Sequence, residues 1–346
     1  MQRIPISLIA GFLGSGKTSL INEFLGLAEA AGTAVVVNEF GEIGLDHDLL
    51  VASDDKVVLL ANGCFCCAVR GDLVAALDKL YCAGAASGDA AFGRVVIEAS
   101  GLADASPVIH MLLAEPSITA RYRLERVVTV VDAINGDASL DQHLESVKQL
   151  AVADQIVLSK TDLLGADAKP RLEALRQRIR GINPRAPLVD ARGAGSDWLI
   201  AAFTGDAKRS AWLGAEGDGA ALSKPPGRSS GHDQRFTSFC YVRDEPMSEE
   251  ALLLLLQAIG DNLGPQLLRI KGIVNVAESP DRPAVIHGAQ KILHALEWLE
   301  RWPSVDHRTR IVFITLDAGQ ALVEELIALA DLLAARTARA RLRASA

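Results

Sequence analysis

The stretch Gly11-Phe12-Leu13-Gly14-Ser15-Gly16-Lys17-Thr18 decides the reading of this 346-residue chain. It follows the apolar run Ile4-Pro5-Ile6-Ser7-Leu8-Ile9-Ala10 and precedes a segment with helical patterning, Ser19 to Ala30. Strand, glycine-rich turn and helix form the context of a phosphate-binding loop. The glycines let consecutive backbone N–H groups turn inward around phosphate oxygens, where side chains would otherwise collide. The positive end of the following helix adds to that field. On this reading Gly11, Gly14, Ser15, Gly16 and Ser19 frame the cradle. Lys17 reaches the β- and γ-phosphates, and the Thr18 hydroxyl ligates Mg²⁺. A glycine turn that binds nothing is the bland alternative, and the Gly-Lys-Thr ending between strand and helix argues against it.

Composition bounds the rest. The length suffices for two domains with sizeable cores. At 49% hydrophobic and 5% aromatic, the chain reads as a soluble Ala/Leu/Val-rich globular protein. A net charge of −8 argues against a general nucleic-acid surface. No apolar run approaches the ~20 residues needed to span a bilayer. Reading the N-terminal apolar segment as a signal peptide would destroy the phosphate loop, so the expectation is a cytoplasmic protein without membrane or nucleic-acid partners. Of the five cysteines, Cys64, Cys66 and Cys67 cluster while Cys82 and Cys240 stand apart. That is a poor disulfide framework and reads better as metal or redox chemistry.

Strands and helices alternate through the first half. Thr33 to Asn38 is a β-branched strand ending at a loop, Asn38 to Asp48, whose glycines and carboxylates (Glu39 and Glu42 among them) suit a segment that orders around a metal or γ-phosphate. A solvated acidic connector is the equal alternative. Lys56 to Ala61 is another buried strand, running into Asn62-Gly63-Cys64-Phe65-Cys66-Cys67 and then a helix from Asp72 to Cys82. On an extended backbone Cys64 and Cys66 share a side and Cys67 opposes them; a turn could converge all three. Thiolates suit zinc, copper(I) or cobalt, and an incomplete set leaves room for an exchangeable ligand. Small buried hydrophobes are the alternative, weakened by the turn at Gly63.

Gly93 to Glu98 is a third strand, whose terminal carboxylate can hold Mg²⁺ through water or orient the attacking water, while Gly101 offers a backbone N–H near the γ-phosphate. Arg126 to Val131 is a fourth, followed by Asp132 and a helix from Asp137 to Ala153 whose His143 reads as a surface residue. Gln155 to Leu158 is a fifth, ending in Ser159-Lys160-Thr161-Asp162. An Asn-Lys-x-Asp turn at this place selects guanine: the Asp accepts from N1–H and the 2-amino group, and the Lys stem lies over the base. With Ser in place of Asn, selection rests mainly on Asp162. A helix, Ala166 to Arg180, and a strand, Pro187 to Asp190, complete a mostly parallel α/β domain with its ligand at the carboxyl ends of the strands.

Composition shifts after residue 192. Residues 193–231 read as a short helix around Trp198 and then a flexible linker carrying Pro225-Pro226-Gly227. The expected domains are thus 1–192, the linker 193–231, and a smaller α+β domain at 232–346. The last has strands at Arg235–Val242, Leu267–Ala277, Pro283–Ile292 and Arg310–Leu316, and helices at Ser248–Asn262 and Ala318–Ala335. Arg336, Arg339, Arg341 and Arg343 read as a frayed helix end. His232, His287 and His294 read as isolated surface histidines.

With the phosphate loop, Glu39 and Glu42, Cys64-Phe-Cys66-Cys67, Glu98-Ala-Ser-Gly101 and Ser159-Lys-Thr-Asp162 in place, the chain resembles the CobW-like family of metal-handling P-loop GTPases over nearly its whole length. The second domain resembles that family's C-terminal domain at Arg269-Ile270-Lys271-Gly272-Ile273 and at His287-Gly288 before Trp298. The resemblance implies GTP hydrolysis coupled to delivery of zinc or cobalt to a client metalloprotein. It implies Cys64, Cys66 and Cys67 as metal ligands, Glu39 and Glu42 as switch carboxylates, and Lys17, Glu98 and Glu39 as catalytic groups. The chain lacks the His-rich tract that many members carry. The rival readings are a P-loop enzyme whose zinc only staples the fold, an ATP-using kinase or ligase, and thiol redox chemistry at Cys66-Cys67.

Overall fold

The computed structural model describes residues 3–37, 57–59, 68–86, 92–165, 168–192, 197–204, 235–289, 292–293 and 296–344. It divides into two compact units, Met1–Lys208 and Arg209–Ala346. Among the described residues no helix is long and apolar enough to cross a membrane.

The first unit runs β1 (Ile4–Gly11), α1 (Lys17–Leu25), β2 (Thr33–Val37), β3 (Val57–Leu59), α2 (Ala68–Ala86), β4 (Arg94–Glu98), α3 (Ser106–Ala114), α4 (Pro116–Thr119), β5 (Tyr122–Asp132), α5 (Gly136–Gln142), α6 (Leu144–Ala151), β6 (Gln155–Ser159), α7 (Lys169–Ile182), β7 (Leu188–Asp190) and α8 (Asp197–Thr204). The strands form a parallel sheet in the order β3-β2-β4-β1-β5-β6-β7. Strands buried on both faces read as continuous apolar runs, which is why β1, β2, β4 and β6 lack alternation. One face is covered by α1 and α8: Ile21 and Phe24 sit with Val35, Val96 and Val128, and Phe203 stacks on Phe24 at 4.3 Å. Because α8 buries Leu199, Ala202 and Phe203 in this core, the first unit extends past residue 192.

Registration sets the exits of the loops. Ile9 of β1 lies opposite Glu98 of β4, Glu98 opposite Val37 of β2, and Val37 opposite Leu59 of β3. β4, β2 and β3 therefore end at one level, and β1 passes it by two residues to Gly11.

Three helix expectations are corrected. The first helix stops at Leu25, where the Gly26 N–H closes on Asn22 O, and a separate 3₁₀ turn follows at Ala28–Ala30. The segment 137–153 is two helices, broken at His143, whose backbone is extended. The arginine-rich C-terminus is helical to Ala344, with Arg341 paired to Glu250 at 3.4 Å.

The second unit is an antiparallel sheet in the order β11-β10-β9-β13-β8, with β12 added on β10. Its strands are β8 (Phe236–Arg243), β9 (Leu267–Val274), β10 (Ala284–Ala289), β11 (Ile292–Leu293), β12 (Glu297–Trp298) and β13 (Thr309–Leu316). Helices α9 (Glu249–Asn262) and α10 (Gln320–Ala344) close a core of Phe239, Leu252, Leu255, Ile270, Phe313, Val323 and Ile327. Ser248 caps α9 by accepting the Ala251 N–H, as its position before Glu249 and Glu250 requires.

Phe24→Ala removes a fully buried ring from the first unit. The expected loss is roughly 3–5 kcal/mol, read as an earlier urea midpoint for that unit; a loss under about 1 kcal/mol would mean the Phe24–Phe203 stack is not a core contact.

Candidate functional site

The phosphate loop begins where β1 runs out of room for side chains. A Cβ on Gly11 (φ 143°) would lie 2.4 Å from Val130 O on β5, so the strand can pass only as glycine. Gly14 (φ 70°) and Gly16 (φ 95°) take the left-handed conformation that turns the loop into the helix. Lys17 opens α1, is buried, and curls its ammonium back to donate to Gly11 O at 3.1 Å and Phe12 O at 3.4 Å. Thr18 Oγ1 donates to Glu98 Oε1 at 2.8 Å. Glu98 is 6% exposed, held at the end of β4 beside β1. Gly101 presses on the loop as well: a Cβ there would lie 2.7 Å from Leu13 N and Cα, and 3.0 Å from Lys17 Nζ. The Ser15 hydroxyl is buried with no hydrogen-bond partner among the described residues, and Ser19 is exposed on the first turn of α1.

The end of β6 is laced to the same loop. Ser159, which stands in place of the Asn of the Asn-Lys-x-Asp turn, donates from Oγ to Ser15 O at 2.6 Å. Lys160 adopts φ 58°, and its ammonium donates to Gly14 O at 2.6 Å and Asp132 Oδ2 at 2.8 Å. Asp162 is exposed, with Arg192 Nε 3.9 Å from its carboxylate.

Asp132 was not singled out by its sequence context, yet it anchors this corner. Burial alone would raise its carboxyl. The Lys160 ammonium, the Ile134 and Asn135 N–H groups and the Asn135 amide outweigh that and hold it below the usual carboxylate range. The available signal was positional: like Glu98, Asp132 is an acid closing an apolar strand. His143 is a second correction. It is half-buried, and its ring stacks on Phe12 of the loop at 4.3 Å. A cavity of about 180 Å³ beside the loop is lined by Phe12, Gly14, Ser15, Asp132, Asn135 and Gln149 among others.

The structure thus brings together Gly11, Gly14, Ser15, Gly16, Lys17, Thr18, Glu98, Gly101 and Lys160. Asp162 stands on the turn after β6. Glu39, Glu42, Cys64, Cys66 and Cys67 lie outside the described residues, as do His232 and His294. Among the described residues no cluster of three or more His, Cys, Asp or Glu could hold a metal ion. His287 lies within strand β10, opposite Lys271, and is half-buried rather than a free surface residue.

Comparison with known proteins agrees with this geometry. Residues 5–190 match the domain family described as CobW/HypB/UreG, nucleotide-binding domain, and residues 236–330 match the cobalamin synthesis protein CobW C-terminal domain. The chain is 30% identical over 328 residues to the zinc chaperone YjiA of Escherichia coli, covering 94% of this chain and 97% of that protein. It is 30% identical over 363 residues to the zinc chaperone CobW of Pseudomonas aeruginosa, covering 93% and 90%. The crystal structure of Zn(II)-bound YjiA GTPase from E. coli superposes with a TM-score of 0.65 at 24% identity, covering 95% of this chain and 99% of that one, and shares its fold.

Asp132→Asn should strip Lys160 of its charged partner and raise the dissociation constants of GDP and GTP together, by roughly tenfold for about 1.5 kcal/mol. Equal affinity in parent and variant would show the contact to be dispensable. Because the Asp132 pKa is depressed in the fold, its contribution is complete above the ordinary carboxylate pKa near 4. It is lost only as pH falls through the lower folded value. Nucleotide affinity measured from pH 6 to 8 should therefore show no inflection from this group.

Proposed function

The chain belongs to the CobW/HypB/UreG family, and we propose that it hydrolyses GTP and carries a transition metal on Cys64, Cys66 and Cys67. The observation that carries this reading is the register row Ile9–Glu98–Val37–Leu59. The phosphate loop begins at Gly11, two residues after Ile9, while in sequence the Glu39/Glu42 segment follows Val37 and the cysteine segment follows Leu59. With strands about 4.8 Å apart, the exits toward phosphate and cysteines lie roughly 14 Å apart on one edge. A loop that orders on γ-phosphate between them can alter the spacing of the thiolates.

Nucleotide would bind through Gly11, Gly14, Ser15, Gly16, Lys17, Thr18 and Ser19, with Gly101 at the γ-phosphate and Lys160 and Asp162 at the base. The Thr18 hydroxyl and the Glu98 carboxylate form a pair of hard oxygen donors, which fits Mg²⁺. When bound, that ion neutralises charge on the β- and γ-phosphates. Glu98, together with Glu39, would orient the attacking water, and Lys17 would hold the phosphoryl group. Glu39 and Glu42 add carboxylates to the metal site in the nucleotide-loaded state.

Zinc is favoured as cargo by the names of both relatives; cobalt(II) suits the same thiolates. A client metalloprotein is the destination, and the protein works in the cytoplasm. Metal should bind more tightly with a non-hydrolysable GTP analogue than with GDP. By reciprocity the metal should strengthen analogue binding by the same factor, 5–150-fold for a typical coupling of about 1–3 kcal/mol. Competition titrations against a zinc indicator test this, and equal affinities in all nucleotide states would remove the gating. Replacing all three cysteines with Ser should abolish the tight site; a variant that still holds zinc as firmly would move the cargo elsewhere. Chelation that unfolds the parent would instead favour a structural zinc.

Base choice gives a separate test. Asp162→Asn removes the acceptor for N1–H and the 2-amino group, so preference should move from GTP toward xanthosine triphosphate. An unchanged preference for GTP over ATP would remove Asp162 from the base site.

A further inference from the structure

The segment after β4 carries Gly101 to the phosphate loop, and its only large apolar side chain is not buried: Ala99 and Ala105 anchor its ends in the core, but Leu102 between them is 45% exposed, and Leu13 opposite is 59% exposed. What holds it is α6. Gln149 Nε2 donates to Ala103 O at 2.6 Å, and Lys148 Nζ meets Asp104 Oδ2 at 3.1 Å. The other oxygen of Asp104 accepts from the Ser106 N–H at 2.8 Å and the Ser106 hydroxyl at 2.5 Å, tying the same carboxylate to the start of α3. At its other end the segment continues the sheet, with the Ala99 N–H donating to Ile9 O at 2.8 Å. The loop is therefore pinned at both ends, and its far pin consists of two consecutive side chains of one short helix.

That helix is itself fixed. Thr129 Oγ1 of β5 donates to Gln149 O at 2.7 Å, and Asn183 Nδ2 donates to Leu150 O at 3.0 Å. Gln149 is completely buried, and its side-chain oxygen has no hydrogen-bond partner among the described residues. A buried amide with one half unsatisfied is costly, so the bond that its other half makes to Ala103 O is the one interaction that offsets the burial of the side chain. The paired groups Lys148 and Asp104 are each about one-fifth exposed, which screens them less than a surface pair.

We infer that Gln149 and Lys148 are positioning residues for GTP hydrolysis: without touching nucleotide, they set the height of Gly101 over Leu13 and Lys17. The inference rests on the proposed assignment of Gly101 to the γ-phosphate. GDP has no γ-phosphate, so loss of the clamp should spare GDP binding while slowing turnover. A displacement of about 1 Å can cost up to 100-fold in rate.

The test compares Gln149→Ala, Gln149→Glu, Lys148→Met and Lys148→Arg with the parent. Gln149→Glu keeps the volume but sets a carboxylate against the Ala103 carbonyl. Both Gln149 variants should lower kcat for GTP by at least about tenfold, with the GDP dissociation constant within about twofold of the parent's. Lys148→Met should lower kcat less, and Lys148→Arg should restore it. Parental kcat in the Gln149 variants, or GDP affinity falling in step with kcat, would overturn the inference, the latter reducing the clamp to general stability. Amide hydrogen exchange over residues 99–105 in the nucleotide-free protein decides the anchoring independently of turnover. Faster exchange in Gln149→Ala is expected, and unchanged exchange overturns the clamp even if the parent proves to have no GTPase activity. Absence of turnover in the parent itself would instead count against the proposed function.

Discussion

The approach of β1 to β5 at Gly11 is the constraint on which the rest of the first unit depends. Val130 O stands where any larger residue would place its Cβ, so the two strands can stay in register to their ends only because the last residue of β1 has no side chain. From that point the chain must turn, and Gly14 and Gly16 supply the left-handed steps that deliver Lys17 and Thr18 to the head of α1. A strand that ended one residue earlier or later would shift Thr18 away from Glu98. The 2.8 Å contact between them is the consequence of the strand register, not an independent feature.

Around that turn the structure adds a polar frame whose members come from separate strands. Ser159, Lys160 and Asp132 lie at the ends of β6 and β5, and they bind two carbonyls of the loop and one another. The loop is thereby supported by charged and hydroxyl groups that bond its carbonyls. The Ser159 hydroxyl reaches the loop directly, which gives the Ser in the Ser-Lys-Thr-Asp turn a structural function apart from base selection. On the β4 side, α6 plays the corresponding part through Gln149 and Lys148. The helix begins where His143 leaves the helical conformation, and the ring of that residue stacks on Phe12 of the loop.

Much of this was legible in residue order. Continuous β-branched runs marked the parallel strands, and Gly11 to Thr18 marked the turn. The strand-end positions of Glu98 and Lys160 placed them at the carboxyl edge of the sheet before any coordinates, and there they meet Thr18 and Gly14. Serine followed by two glutamates marked the start of α9. The break at His143 was not legible, since Asp141-Gln142-His143-Leu144 has neither glycine nor proline; the ring of Phe12, distant in sequence, makes it. Asp132 and Gln149 were equally hidden. One is an acid after a strand and the other a polar residue on an amphipathic helix, and in sequence each looks like many that do nothing.

The sequence by itself determined the glycine turn after the first strand and the succession of strands and helices along the chain, because glycine placement and apolar runs are local requirements of turns and buried sheets. It also carried the three clustered thiols and the family to which they belong. Only the tertiary structure decided which carboxylate meets Thr18, which lysine braces Gly14, and which helix holds Gly101 in place. Those pairings join residues from 46 to 146 positions apart. A hydrogen bond over such separations is set by sheet register and helix packing, and neither is written in the spacing of neighbouring residues.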